Sequence, residues 1–340
     1  MSKSRLTSKT NTQTKVKKIN KQGKCVRNVG NWASVKAYHR FDSQQFDPEK
    51  LKSELDIISP KVAKLISNIN SLDRSDQKKF GHKFKHFIFT DVKGNYGIKT
   101  VASSLIAHNF NLVYKPNESK TRLNIVIDPE TIKEEGSKNF AILTATPMFT
   151  INIREDTKKD LVGSSGIYNS RPDNIHGQKL RFILGDSGFK EGVDLFDVKY
   201  VHILEPQLTR ADLTQAIGRA TRTCGQKGLQ FVPNKGWTLE VFEYDLRIPT
   251  KEKKTKRFGV FTKSISPKKQ KTISEEVFRV GNVDVSEINT ISDIQDLILI
   301  SAVDRDLNHP INLFGKEEEK RDWFYSQLPE NKKKSKKLFF

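Results

Sequence analysis

Apolar residues along this chain recur in two rhythms. After Ser59-Pro60, the positions Val62, Leu65, Ile66 and Ile69 fall on one face of a helix. The serine supplies an N-cap and the proline a first residue already held at helical φ. Short unbroken apolar runs follow and alternate with helical spacing. Lys85 to Asp91 reads Lys-His-Phe-Ile-Phe-Thr-Asp, a strand closed by polar residues, and Thr100 to Asn109 carries Val101, Ala102, Leu105 and Ile106 at helical intervals. Further strands are predicted at Asn111 to Tyr114, Phe140 to Thr144, Arg181 to Gly185, Tyr200 to Leu204 and Leu239 to Tyr244, with helices near Thr157 to Leu161 and Ala211 to Ile217. Strands alternating with helices predict an α/β fold of three layers, a mostly parallel sheet covered on both faces. Ligands of such sheets sit beyond the carboxyl ends of the strands, where Asp91, Asp186 and the Gly218 loop fall.

The pattern also divides the chain. Residues 1 to 50 are polar and basic without a sustained period and are expected to form a disordered arm. The periodic region, 51 to 248, is the expected folded domain, and the rhythm breaks at Arg247-Ile248-Pro249. Residues 249 to 340 then read as a basic linker over Lys251 to Lys271, a small helical extension with an apolar segment at Ile291 to Val303, and a lysine-rich tail at Lys332 to Lys337.

Charge sharpens the picture. Sixty Lys and Arg against forty Asp and Glu leave +20 over 340 residues, which favours a polyanionic partner, most often DNA or RNA, through release of condensed counterions. An acidic membrane surface is the weaker alternative, and solubilising tails are the bland one. Cys25 and Cys224 are too few for a disulfide framework and fit a reducing compartment. The longest apolar runs, such as Leu297 to Val303, are too short to span a bilayer, and the lysine-rich start lacks the apolar segment of a signal peptide. The expectation is a soluble intracellular protein with no membrane partner.

Three motifs fail on spacing. Gly94-Asn-Tyr-Gly97-Ile-Lys99-Thr100 has the strand-to-helix setting of a P-loop, but Ile98 stands where a glycine must let the backbone curl under phosphates. Asp128 imitates a magnesium-holding acid, yet Pro129 replaces its acidic neighbour and Thr100 lies only 28 positions upstream. It reads as a strand-end residue, and Thr144 to Thr146 as ordinary strand-end chemistry. His39, His82, His86, His108, His176, His202 and His309 have no ligand spacing, so no metal site is expected.

One constellation survives. Residues 215 to 222 read Gln-Ala-Ile-Gly-Arg-Ala-Thr-Arg, whose spacing sets Arg219 and Arg222 so that both can be aimed at one phosphate group. About twenty residues upstream, Phe189 to Asp197 carries Glu191-Gly192-Val193-Asp194-Leu195. Gln-x-x-Gly-Arg-x-x-Arg resembles motif VI of superfamily two helicases, and the Gly192 turn resembles their motif V. The longer stretch from Arg171-Pro-Asp-Asn-Ile-His-Gly177 to Gly225-Gln-Lys-Gly-Leu229 is similar to the helicase/NTPase family of nucleocytoplasmic large DNA viruses, related to poxvirus early-transcription and phosphohydrolase ATPases. Lys85 to Asp91 takes the place of motif IV. The resemblance covers about residues 57 to 247, and more loosely Ser301-Ala-Val-Asp-Arg-Asp-Leu307.

This resemblance implies a RecA-like second lobe that closes on a first lobe with ATP and Mg2+ between them. Arg219 and Arg222 would answer the charge that spreads over the γ-phosphate oxygens during in-line attack. Gln215 would sense the γ-phosphate or the water. Gly192 and Gly218 would let the backbone approach the nucleotide, and Asp194 would accept from a ribose hydroxyl. Ser187, Lys190 and Thr90 would meet the nucleic acid. Asp186 departs from the family, which usually has Ser or Thr six residues before the motif V glycine. The larger departure is the absence of a P-loop and a paired-acid motif, so this chain is expected not to hydrolyse ATP alone and to share its site with a separate P-loop-bearing lobe or subunit. The alternatives are a non-catalytic nucleic-acid-binding protein derived from a helicase lobe, and a gene fragment. A viral origin would put it in the host cytoplasm, at the virus factory, or in the virion.

Overall fold

The computed structural model describes residues 28–119, 122–133, 136–189, 193–207, 210–221, 225–232 and 236–246. Its elements are Pro48–Ile58 (α1), Pro60–Phe80 (α2), Lys85–Thr90 (β1), Ile98–Ala107 (α3), Asn111–Leu112 (β2), Tyr114–Ser119 (β3), Arg122–Ile127 (β4), Pro129–Lys133 (α4), Asn139–Leu143 (β5), Glu155–Val162 (α5), Phe182–Asp186 (β6), Val198–Ile203 (β7), Arg210–Gly218 (α6) and Glu240–Glu243 (β8). Six strands form one sheet in the order β2-β5-β6-β1-β7-β8, and every pairing in it is parallel. This is the α/β architecture with a parallel main sheet that the alternation predicts.

Burial explains the continuous apolar runs. All side chains of β1, β5 and β6 are buried, as strands covered on both faces require. In β1, Lys85 Nζ donates to the carbonyl of Tyr168, and Phe87 and Phe89 line a small cavity together with Leu195 and with Ala216 of α6. His86 faces the other way, 3.8 Å from Asp73 on α2. The chain leaves β1 for β2, β5 and β6 on one side, then crosses to β7 on the other. The resulting switch point at the carboxyl end of β1 is where such sheets bind ligands.

Two differences from the sequence reading stand out. The strand expected at 111–114 is divided: Asn111–Leu112 joins the main sheet, and Tyr114 begins an antiparallel hairpin of β3 and β4. Residues 28–47, expected in the disordered arm, pack against the folded domain instead. Trp32 is fully buried and Phe41 nearly so, Phe41 N donates to Ser103 Oγ at 2.9 Å, and Asp47-Pro48 starts α1 with Asp47 capping Lys50 N at 3.0 Å. Isolated apolar residues among polar ones carry no period, so packing there is set by tertiary contact. Residues 1–27 and the whole linker, extension and tail from 247 onward lie outside the described residues.

Candidate functional site

The carboxyl ends of the central strands are tied in pairs. At the end of β1, Thr90 Oγ1 donates to Glu205 at 2.6 Å and Asp91 N to the same carboxylate at 2.8 Å. Asn31 Nδ2 reaches Glu205 as well, so the residues before α1 close one rim of the sheet. At the ends of β5 and β6, Thr144 Oγ1 donates to Asp186, which also accepts from Gly188 N at 2.8 Å. Burial holds the Asp186 carboxyl above the usual carboxylate range. Ser187 Oγ donates to Asp91 O at 3.3 Å and joins the two groups.

Arg219 follows α6 directly, beyond these strand ends. It is only 7% exposed and, with Asp186, Phe89, Val193 and Leu195, lines a cavity of about 10 Å³, room for about one water. Gln215 lies one turn earlier with its side chain exposed, and Gly218 is half-buried. Asp194 is exposed, and its carbonyl accepts from Asn169 Nδ2 at 2.8 Å. Lys190, Gly192 and Arg222 lie outside the described residues. Thr90, expected on the nucleic acid, is 2% exposed and points inward to Glu205, which makes it a support of the β1 end. Ser187 is half-buried on the adjoining loop.

Sequence reading missed the groups that hold this arrangement. Arg171 makes a fork on Asp197, Nε to Oδ2 at 2.7 Å and Nη2 to Oδ1 at 2.8 Å. Asp197 is fully buried and accepts from Gly228 N at 2.8 Å, while its own N–H donates to Gly225 O at 2.7 Å. Asn169 braces the same loop by accepting from Phe196 N at 2.9 Å. Beneath it, the Lys85 ammonium donates to the carbonyls of Tyr168 (2.5 Å) and Phe196 (3.1 Å). Burial pushes that ammonium down to about 7 against the pull of Asp197. Arg171 sits in the family-like stretch, but nothing in its spacing from Asp197 announced the pair.

The false motifs resolve as well. Gly97 stands where α3 begins, and an added Cβ would meet Val92 O at 1.7 Å, so this glycine serves a tight turn. Asp128 follows β4, pairs with Lys115 at 2.6 Å and accepts from Thr131 Oγ1 at 2.9 Å at the start of α4. Among the described residues, no three His, Cys, Asp or Glu side chains gather as a metal site, and no helix is long and apolar enough to cross a membrane.

A parallel sheet thus carries Arg219 and the Val193–Asp197 loop together at its switch point. By sequence the chain is similar to proteins named as helicases. It is 27% identical over 198 residues to a protein of Acanthamoeba polyphaga mimivirus named as an ATP-dependent RNA helicase, an alignment covering 58% of this chain and 27% of that one. A second mimivirus protein named as an ATP-dependent RNA helicase is 30% identical over 91 residues, 27% of this chain and 11% of its own. An uncharacterised helicase of the Kluyveromyces lactis killer plasmid pGKL-2 is 32% identical over 77 residues, 23% of this chain and 12% of its own. The chain thus spans about a quarter or less of these relatives. No protein-family model matches. Among solved structures, the C-terminal part of the Fun30 ATPase domain is similar at TM-score 0.33 and 11% identity, covering 59% of this chain and 50% of that one. The Pyrococcus furiosus Hef helicase domain follows at TM-score 0.29 and 15% identity, covering 57% and 27%.

Proposed function

We propose that this chain acts as the second lobe of an ATP-dependent nucleic-acid helicase or translocase. In this reading Arg219 and Arg222 face the γ-phosphate, Gln215 senses it, and Gly192, Asp194 and Gly218 border the nucleotide. Ser187 and Lys190 lie toward DNA or RNA. The observation that carries the reading is the junction of the Val193–Asp197 loop with Arg219 at the sheet's switch point, made by Leu195 N donating to Arg219 O at 3.0 Å. ATP and Mg2+ belong to a site shared with a P-loop lobe, because the cavity beside Arg219 has no room for a nucleotide. When bound, the metal would neutralise phosphate charge. This chain would contribute permanently ionised donors. Closure of the lobes would require the Arg219 side chain to leave the wall where it is now 93% covered.

That coverage favours a second reading, a non-catalytic nucleic-acid-binding protein derived from a helicase lobe. The two separate in one experiment, in which the full chain is assayed with a P-loop lobe for nucleic-acid-stimulated ATP hydrolysis and for salt-dependent binding. A motor loses hydrolysis with Arg219→Ala. A passive binder hydrolyses nothing, keeps its steep salt dependence in that variant, and loses binding when the lysine tails are removed.

A further inference from the structure

Two loops flank Arg219, and one buried ion pair fastens both. The Arg219 carbonyl is held by Leu195 N, two residues before Asp197. On the other side, Gln226 Nε2 reaches back to the carbonyl of Ala220, the residue after Arg219. Gln226 belongs to the Gly225–Leu229 turn, and Asp197 grips that turn at both ends through Gly225 O and Gly228 N. Arg171 Nη2 adds a bond to Gly225 O at 2.7 Å, and its guanidinium lies 4.9 Å from the centre of the Phe196 ring.

The geometry points to Asp197, oriented by Arg171, as a positioning residue for Arg219. It fixes the backbone on both sides of the arginine without touching it. This rests on the reading of Arg219 as a phosphate-directed group. Three features mark the position as built for this task. Asp197 adopts a left-handed backbone, φ 57°, which aspartate and asparagine tolerate better than most residues. Its carboxylate is fully buried, where a charge persists only with a partner as well matched as the Arg171 fork. Gly228 leaves room for it, since a Cβ there would lie 2.8 Å from all three carboxyl atoms. A side chain needed only for packing has no use for three polar contacts that tie Arg171 to the Gly225–Leu229 turn.

The test uses the full chain with 15N-labelled arginine, and the readouts are the Arg219 Nε–H resonance and amide exchange. Asp197→Ala should shift or broaden that resonance and raise exchange at Ala220 and Gly225–Leu229 by about tenfold or more, leaving β1 and β6 protected. Asp197→Asn, which keeps the left-handed backbone and one acceptor, should restore much of the signal. Arg171→Lys keeps the charge but loses the fork, and should fall between them. An Arg219 resonance indifferent to all three variants overturns the inference, as does loss of protection throughout the sheet, which would mark Asp197 as a residue of general stability. In the assembled ATPase the same variants should lower kcat by about tenfold or more at unchanged KM for ATP, since small misplacements of a reacting group are costly. A wild-type assembly without hydrolysis counts against the motor, while the Arg219 resonance still decides the positioning role.

Discussion

The backbone N–H of Leu195 donates to the carbonyl of Arg219 at 3.0 Å, so the loop after β6 and the arginine after α6 are one mechanical unit. Leu195 and Arg219 are far apart in sequence but meet beyond the carboxyl end of the sheet. The consequences of this joint can be measured on the chain alone.

Gly228 should not tolerate a methyl group. Its Cβ would displace the Asp197 carboxylate from Gly228 N and strain the Arg171 fork. Gly228→Ala should cost about 1–3 kcal/mol, the usual penalty for forcing a packed site, read from the urea midpoint at unchanged m-value. A midpoint equal to wild type would mean that the loop yields freely.

A second buried fork ties the start of β6 to α2. Arg181, 1% exposed, donates to Asp73 through Nη1 at 2.6 Å and Nη2 at 2.8 Å. Asp73→Ala would leave that guanidinium uncompensated in the interior and should cost about 3–5 kcal/mol. Lys83 approaches Asp73 only at 3.8 Å with a partly exposed side chain, so Lys83→Ala should cost less than about 1 kcal/mol. Equal losses in the two variants would contradict this ranking.

How much of this was legible beforehand depends on the kind of contact involved. β1, β5, β6 and β7 read correctly because parallel strands covered on both faces are continuous apolar runs, and α2 because Ser59-Pro60 opens a clear helical face. The β3–β4 hairpin was hidden because Pro116, Asn117 and Glu118 have poor strand propensity and are held by pairing. Trp32 gave no periodic signal, although it sits fully inside the core. Arg219 stood out in its motif, but its place beyond the strand ends came only with the fold. Arg171 and Asp197 did not stand out, since residues 26 positions apart meet only through the fold. Thr90 shows the limit at finer scale, because its place at a strand end was readable but not which way its hydroxyl turned.

A histidine relay crosses the sheet and should make the fold acid-sensitive. Asn68 Nδ2 donates to Tyr244 Oη at 3.1 Å, leaving that hydroxyl to donate to His202 Nδ1 at 2.9 Å. His202 Nε2–H can then donate to His86 Nδ1 at 2.9 Å. Burial pushes His202 down to about 3 and lowers His86 well below its ordinary value. The unfolded chain, with His near 6.5, therefore binds more protons between pH 6.5 and about 3. Stability is full above 6.5 and falls as pH drops through that window, by up to about 1.4 kcal/mol per pH unit for each histidine. His202→Phe should flatten urea midpoints measured from pH 8 to 4, and an unchanged slope would refute the relay's role.

Lys85 acts with the same sign in a higher window. Its folded value is pushed down to about 7 from 10.5, so the unfolded state binds the extra proton between those limits and stability should rise with pH across them. Lys85→Met should remove that rise between pH 7 and 9.5. A rise of equal steepness in the variant would show that the ammonium is not the titrating group.

The most direct test of the second-lobe assignment is single-turnover ATP hydrolysis by this chain with a P-loop lobe and nucleic acid, comparing wild type, Arg219→Ala and Arg222→Ala. The account predicts hydrolysis by the wild type that falls about a thousandfold or more in either variant, as for other arginine fingers, while salt-dependent nucleic-acid binding is retained. Hydrolysis that is indifferent to Arg219→Ala would contradict it.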